Sequence, residues 1–518
     1  MTTLLALLSG GLLAASFPKY GHPAFAWTAL APLFVAVALR ATRSPAAGSR
    51  GVFALGWLTG IVHFSLTVSW VVEVMNLHGG LPLPVAWAVM LLLASYLALY
   101  PALCAVLVGR AVRQFGVTGL WLAPACWVAT EWLRGWVGGG FPWALLGTSQ
   151  ASVTPVIQLA SVTGVFGVSA LLALVSAAAA VVTVTRRPRH LWAAGGVMAL
   201  VALVTALGAW RVAGGTLVLS GPVLKVGLVQ GNVAQGQKWD PEFRQEIIDR
   251  YLRLSRQVID VGARFVVWPE ASTPFFFEAE PLRAEPIRAL ARETRTAILI
   301  GSDLFERDAA GDRIYNSAVM VGEDGTSRGS YSKMQLVPFG EYVPLKSLLF
   351  FIGPLVEKVS DFTHGTDPTV LEASGVKTGV AICYEVVYPW IPRAFAERGA
   401  QLLTTITNDA WFGVSSAPYQ HFEQASVRAV EQGRYLVRAA NTGISGVVDP
   451  YGRTIVTTGL FEETAITQDV RLIQSRTIYS YLGDVVAWVC ALAAAMVAVT
   501  GRRRRQTAAQ SAAGGEQL

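Results

Sequence analysis

Charge is scarce in this sequence. Asp, Glu, Lys and Arg make up only 14% of its 518 residues, while 53% are hydrophobic; a soluble domain carries roughly 25% charged residues. That deficit excludes a fully soluble chain and a disordered one. Cysteine is also rare. Three of the four, Cys104, Cys126 and Cys490, sit in apolar runs, and Cys383 stands alone in a more polar stretch. This excludes a disulfide-stapled scaffold. Six histidines without clustered ligand spacing lead us to expect no metal. No glycine-rich phosphate loop follows a strand, because Gly138 to Gly140 follow an apolar helix, and no cofactor is expected. No internal repeat is visible, which weighs against a transporter.

The charge that is present is unevenly placed. Residues 1–210 hold ten Lys/Arg and two acids, whereas 211–483 hold 27 Lys/Arg and 30 acids. The net charge of +7 therefore comes from segments flanking the apolar runs, and a nucleic-acid partner is excluded. Eight apolar runs approach the ~20 residues a membrane helix needs: about 1–17, 24–40, 52–75, 82–108, 117–134, 155–185, 191–210 and 484–500. The first lacks the basic start of a cleaved signal and reads as a retained helix. Arg40, Arg43, Arg50, Arg110, Arg113, Arg186, Arg187, Arg189 and Arg502 to Arg505 fall on one side; the opposite short loops hold Lys19 and Arg134. The positive-inside rule then puts the Arg-rich side, with both termini, in the cytoplasm. The expected division is a seven-helix membrane domain over 1–210, an outward-facing domain over 211–483, an eighth helix over 484–500 and a basic cytoplasmic tail over 501–518. In a bacterium the outward side of the inner membrane is the periplasm.

Within 211–483 the pattern alternates. Residues 223–231, 264–270, 296–303, 316–323, 378–385 and 401–409 read as buried strands, and 241–261, 281–294 and 417–438 as helices. Residues 446–456 read as a hairpin around Asp449-Pro450-Tyr451-Gly452. This is a layered α/β domain. Glu270, Asp303, Glu385 and Asp409 end strands, where α/β sites commonly gather. Cys383 is readable as an inert core residue or as a reactive thiol. A thiol with an ordinary pKa near ~8.5 needs a base or cation to attack. The domain's two histidines, His364 and His421, lie outside these strand ends, so a Cys–His dyad has no support in the sequence.

Trp268-Pro269-Glu270, Lys333 before Phe339-Gly340-Glu341-Tyr342-Val343-Pro344, and Cys383-Tyr384-Glu385, in this order, resemble the nitrilase or carbon–nitrogen hydrolase superfamily, which uses a Glu–Lys–Cys triad on an αββα sandwich. With seven helices before the domain and one after it, the chain resembles the bacterial apolipoprotein N-acyltransferase family. Residues 131–136, 140–147, 232–239, 407–413 and 433–453 share the likeness. The resemblance implies acyl transfer in two halves: Cys383 takes an acyl chain from a phospholipid as a thioester, then yields it to the α-amine of a diacylglyceryl-modified N-terminal cysteine on an apolipoprotein. It implies Glu270 as general base and Lys333 as oxyanion and thiolate partner. Glu341 and Glu385 would be supporting residues, with the Tyr384 backbone N–H near the oxyanion. Trp239 and Trp411 would line the acyl path. The apolar segment 344–355, with Phe350 and Phe351, reads either as a loop that dips into lipid or as a buried core turn. Partners would be the two lipid substrates and membrane lipids, acting on a monomer. A membrane-tethered amidase or nitrilase acting on a small nitrogen compound shares the triad and stays open here.

Overall fold

The structure is a computed structural model and describes residues 1–43, 49–308, 311–338, 340–342 and 362–514. It forms two compact units. One comprises Met1–Val72, Pro82–Trp210 and Asp484–Leu518; the other comprises Glu73–Leu81 and Arg211–Gly483.

The first unit is helical. Four described stretches are long and apolar enough to cross a membrane: Pro23–Thr42, Leu83–Arg134, Ala160–Val184 and Pro188–Leu219. The pair Arg50–Thr67 and Trp70–His78, bent by 55°, makes a fifth if counted as one span. Thr2–Ala14 and Val485–Thr500 are shorter apolar helices. The count of eight spans expected from the apolar runs is not confirmed: the first run forms a helix of 13 residues, the apolar part of the last helix is Val485–Thr500, and 82–108 and 117–134 fall within one long stretch. Gly60 on Arg50–Thr67 permits close packing, because a Cβ there would lie 2.6 Å from the Ala98 Cα. The buried acid of this unit, Glu131, accepts the Leu146 N–H at 2.6 Å. Arg134 donates to the carbonyls of Phe141 and Trp143 at 2.7 Å each.

The second unit carries two six-stranded sheets. The first contains β1 Val223–Gln230, β2 Phe265–Val267, β3 Ala297–Asp308, β4 Gly311–Val321, β5 Ser327–Ser332 and β12 Thr464–Arg471, in the order β12-β1-β2-β3-β4-β5. The second contains β6 Val370–Ala373, β7 Val376–Ile382, β8 Leu402–Thr407, β9 Leu436–Ala440, β10 Gly446–Val448 and β11 Thr454–Thr457, in the order β11-β10-β9-β8-β7-β6. The central strands β1–β2–β3 and β7–β8–β9 run parallel, and their nearly unbroken burial explains the continuous Val/Ile/Leu runs. Helices Arg244–Asp260 and Pro281–Thr294 cover the first sheet through Ile247, Tyr251, Leu254, Ile287 and Leu290. Trp390–Glu397 packs on the second, where Phe395 sits over Gly379. This is the nitrilase-type αββα arrangement.

Several sequence expectations change: Glu270, Glu385 and Asp409 lie two to three residues past the ends of β2, β7 and β8 rather than ending them. The helix placed over 417–438 ends at Gln432, because Gly433 adopts φ 63° and closes it, and Leu436–Ala440 then forms the buried strand β9. Asp303 does not end a strand: β3 runs on to Asp308, paired along its length with β4.

Candidate active site

β7 ends at Ile382, and Cys383 opens a single helical turn, Cys383–Val387, with φ +53°. A non-glycine residue there stores on the order of 1–3 kcal/mol of strain, so its surroundings must hold it. Glu385 does much of this. Its carboxylate accepts the Ile382 N–H at 2.8 Å, the Tyr331 hydroxyl at 2.7 Å, and the N–H groups of Met334 and Gln335 at 2.7 and 3.1 Å. Behind the turn, His421 Nε2 donates to the Cys383 carbonyl at 3.0 Å. Its Nδ1 lies 3.1 Å from Asp409 and accepts from Arg438 at 2.9 Å, and Arg438 also donates to Asp409 at 2.8 Å. Burial and the Arg438 charge push the His421 pKa down, so the ring is neutral and holds the proton on Nε2.

Glu270 follows β2 by way of Trp268 and Pro269. That turn lies against β3 at Gly301, where a Cβ would come within 2.3 Å of the Pro269 carbonyl oxygen and 2.7 Å of the Glu270 Cα. Only glycine permits this approach. Lys333 follows β5, and its Nζ lies 2.8 Å from Glu341 Oε1 and 3.3 Å from Glu270 Oε1. Asn316 on β4 donates from Nδ2 to the same two oxygens at 2.8 and 2.7 Å. Glu270 Oε2 accepts the Asn408 N–H at 2.8 Å, and Glu341 Oε2 accepts that of Val337 at 2.8 Å. Lys238 Nζ donates to the Glu270 carbonyl at 2.9 Å.

The electrostatics follow from burial and these partners. For Cys383, burial and then the Glu270 carboxylate push the thiol well up, against the pull of Lys333. The resting sulfur is therefore a protonated thiol. For Glu270, burial works against the charge, but Lys333, Asn316, Lys238 and the Asn408 N–H outweigh it and hold the carboxyl below its usual range. For Lys333, burial opposes the ammonium, yet Glu341 and Glu270 hold its pKa above the usual range. Burial lowers Lys238 to about 8 and raises Glu385 to about 7. The site thus rests as thiol, carboxylate and ammonium, able to move a proton from sulfur to Glu270.

The structure brings Glu270, Lys333 and Glu341 into one hydrogen-bonded cluster, within electrostatic reach of Cys383. Glu385 holds the backbone around Cys383. Tyr384 is buried with its ring edge-on to Tyr388 at 5.3 Å. Trp239 and Trp411 stand apart, 46% and 38% exposed; the Trp411 ring lies 4.9 Å from that of His78. Phe350 and Phe351 lie outside the described residues. Sequence reasoning missed Asn316, Lys238, His421 and Arg438. Asn316 is within a strand, and His421 and Arg438 act through the Cys383 backbone, so no local pattern marks them. Lys238 lies in 232–239, a stretch singled out only as a likeness.

A carboxylate–ammonium–carboxylate cluster serving a cysteine on a left-handed turn, between two stacked sheets, defines a domain of the carbon–nitrogen hydrolase class. Residues 225–478 match the carbon–nitrogen hydrolase family model. Residues 9–178 match the apolipoprotein N-acyltransferase N-terminal domain. Relatives bearing that name from Geobacter metallireducens and Methylococcus capsulatus are 40% and 38% identical over 506 and 512 residues; the alignments cover 97% and 98% of this chain and 95% and 97% of theirs. The solved structure of a Nesterenkonia amidase of the nitrilase superfamily is 25% identical, covers 49% of this chain and 92% of its own, and superposes with a TM-score of 0.36. The chain belongs to the apolipoprotein N-acyltransferase family. Its reading as a membrane-associated acyltransferase holds over that of a tethered small-molecule amidase.

Proposed function

We propose that the chain moves an acyl chain from a phospholipid to the α-amino group of a diacylglyceryl-modified N-terminal cysteine, through a thioester on Cys383. The observation that carries this reading over the amidase is the match of residues 9–178 to the apolipoprotein N-acyltransferase N-terminal domain; the buried Glu270–Lys333–Glu341 cluster beside the strained Cys383 turn supplies the thiol chemistry. In the first half, Glu270 takes the thiol proton as sulfur attacks the ester carbon. The tetrahedral intermediate collapses, and the lysophospholipid alkoxide leaves with that proton. In the second half, the neutral amine attacks the thioester, the C–S bond breaks, and Glu270 carries a proton from nitrogen to sulfur.

Lys333 would steady the oxyanion. An ammonium has three donors, and two face Glu341 and Glu270, which leaves one for the substrate oxygen. The N–H of Tyr384 would be a second donor. Glu341 positions Lys333, and Glu385 positions the turn. Trp239 and Trp411 are assigned to the acyl path. The thioester preserves the ester's energy, so no nucleotide is required. The uneven Arg distribution supports the bacterial inner membrane as the location, with this domain periplasmic and both termini cytoplasmic.

The test is to incubate the detergent-solubilised enzyme with phosphatidylglycerol and a diacylated lipopeptide, then weigh the products. A triacylated peptide and an equal amount of lysophospholipid support the reading. Ammonia release from small amides, with no change in the peptide, would overturn it.

A further inference from the structure

Two acceptors beside the Glu270 cluster lack a donor among the described residues. Asp303 Oδ1 and Asn316 Oδ1 are both buried, on residues only 6% exposed, with no hydrogen-bond partner among the described residues. They are neighbours. Asp303 on β3 is the direct register partner of Asn316 on β4, so the two side chains share one face, their Cβ atoms about 5 Å apart. It is the face that carries the site. Gly301, two residues before Asp303 and hence on the same side, lies against the Glu270 Cα, and Asn316 donates to both Glu270 and Glu341. A buried polar atom left unsatisfied costs about 1–3 kcal/mol, so the pair calls for a donor. An ammonium group supplies three donors, no acceptor and the opposite charge.

We propose that Asp303 and the Asn316 amide oxygen form the binding site for a primary ammonium, and that Asp303 accepts its first proton. This rests on the acyl-transfer reading above. Two substrates can bring such a group: the lipoprotein acceptor through its α-amine, or a phosphatidylethanolamine donor through its headgroup. Contact with the Glu270 cluster favours the α-amine, because that nitrogen must bond to the acyl carbon held on Cys383. The arriving R–NH3⁺ gives one proton to the Asp303 carboxylate and becomes R–NH2. Its lone pair forms the C–N bond, the C–S bond breaks, and Glu270 passes the second proton to the thiolate. Asp303 then releases its proton to solvent. Burial raises Asp303 to about 7, close to the ~7.7–8.0 of an α-amine, which suits this exchange. The charged groups facing Asp303 are Lys238, Glu270, Glu341 and Lys333.

The test separates the two half-reactions in the full-length enzyme, for wild type and Asp303→Asn. Thioester formation is followed from phosphatidylglycerol and from phosphatidylethanolamine, and discharge by a diacylated lipopeptide. Expected is wild-type thioester formation from both donors, which also shows that the variant folds. Discharge at pH 7 should be slowed about tenfold, because an α-amine of pKa ~7.7–8.0 is only about a tenth neutral there, and the ratio to wild type should recover as pH rises past 8 and the amine arrives neutral. Slower thioester formation from phosphatidylethanolamine alone would support the ammonium site with the headgroup as its source. Unchanged discharge together with unchanged thioester formation from both donors, or equal slowing of every step at every pH, would overturn the proposal and leave the pair a water site or a structural one. If the wild-type enzyme forms no thioester, the acyl-transfer reading fails instead.

Discussion

Tyr331 and Glu385 join the two sheets: the hydroxyl at the end of β5 donates to the carboxylate that follows β7, at 2.7 Å. The same carboxylate holds the backbone on either side of the site, through Ile382 next to Cys383 and through Met334 and Gln335 next to Lys333. The backbone beside Cys383 and that beside Lys333 are thus held by one buried group.

Glu385→Gln should be destabilising although it is nearly isosteric. The amide NH2 would face the Ile382 N–H or the donors at the other oxygen, leaving a buried donor unmet at about 1–3 kcal/mol. The thermal midpoint in detergent should fall and thioester formation should slow together. The pH dependence has a definite sign. Burial raises Glu385 to about 7 in the folded protein, above its unfolded value, so the folded state binds the extra proton. The stability that Glu385 contributes is fully present below the unfolded carboxylate range and is lost as pH rises through about 7. The Gln variant should show a flatter decline.

Lys333→Met removes the oxyanion donor and leaves Glu270 and Glu341 buried without their cation. Breaking a buried pair this way costs about 3–5 kcal/mol, and loss of one such donor slows chemistry about 10²–10³-fold. Thioester formation should fall at least that far. Single-turnover kinetics beside a thermal melt separate the two effects.

The rate of thioester formation at saturating phospholipid should be nearly level from pH 6 to 9. Glu270 is held below the usual carboxylate range and keeps its base form throughout, while the thiol is pushed up by burial and by Glu270 and reacts only as its proton is taken. Activity should fall only on acidification into the carboxylate range. A tenfold rise per pH unit across this window would instead mean attack by a thiolate already formed.

His421→Phe keeps a ring beside Phe412, now 6.2 Å away edge-on, but removes the donor to the Cys383 carbonyl. We expect a loss of about 1–3 kcal/mol for the unmet groups and slower thioester formation. Asp409→Asn should act in the same direction, since Arg438 would lose its buried counter-charge.

Glu270 and Cys383 were legible because each stands just past a buried strand, where the apolar run stops at a chemically distinctive residue; Lys333 follows the largely exposed β5 and was legible only through its place before residues 339–344 in the family resemblance. Asn316 was not, since a polar residue within a strand resembles any solvent-facing position until its neighbour's register is known. β9 was hidden because Leu436–Ala440 continues the apolar spacing of the helix before it, and only the left-handed Gly433 marks the break. β12 pairs with β1 across more than 200 residues, a contact that no local pattern encodes. Of the segment Glu73–Leu81, residues 73–75 were read as the end of the membrane run 52–75 and the rest as a loop, yet the whole segment belongs to the second unit; His78 against Trp411 is a long-range contact of the same kind.

The most direct test of the account is the intact mass of the purified enzyme after incubation with one defined phospholipid. A gain of a single acyl chain, removed by hydroxylamine, absent in Cys383→Ala and discharged by a diacylated lipopeptide, is the predicted result. No gain, while Cys383 still reacts with a thiol reagent, would contradict a thioester on this cysteine.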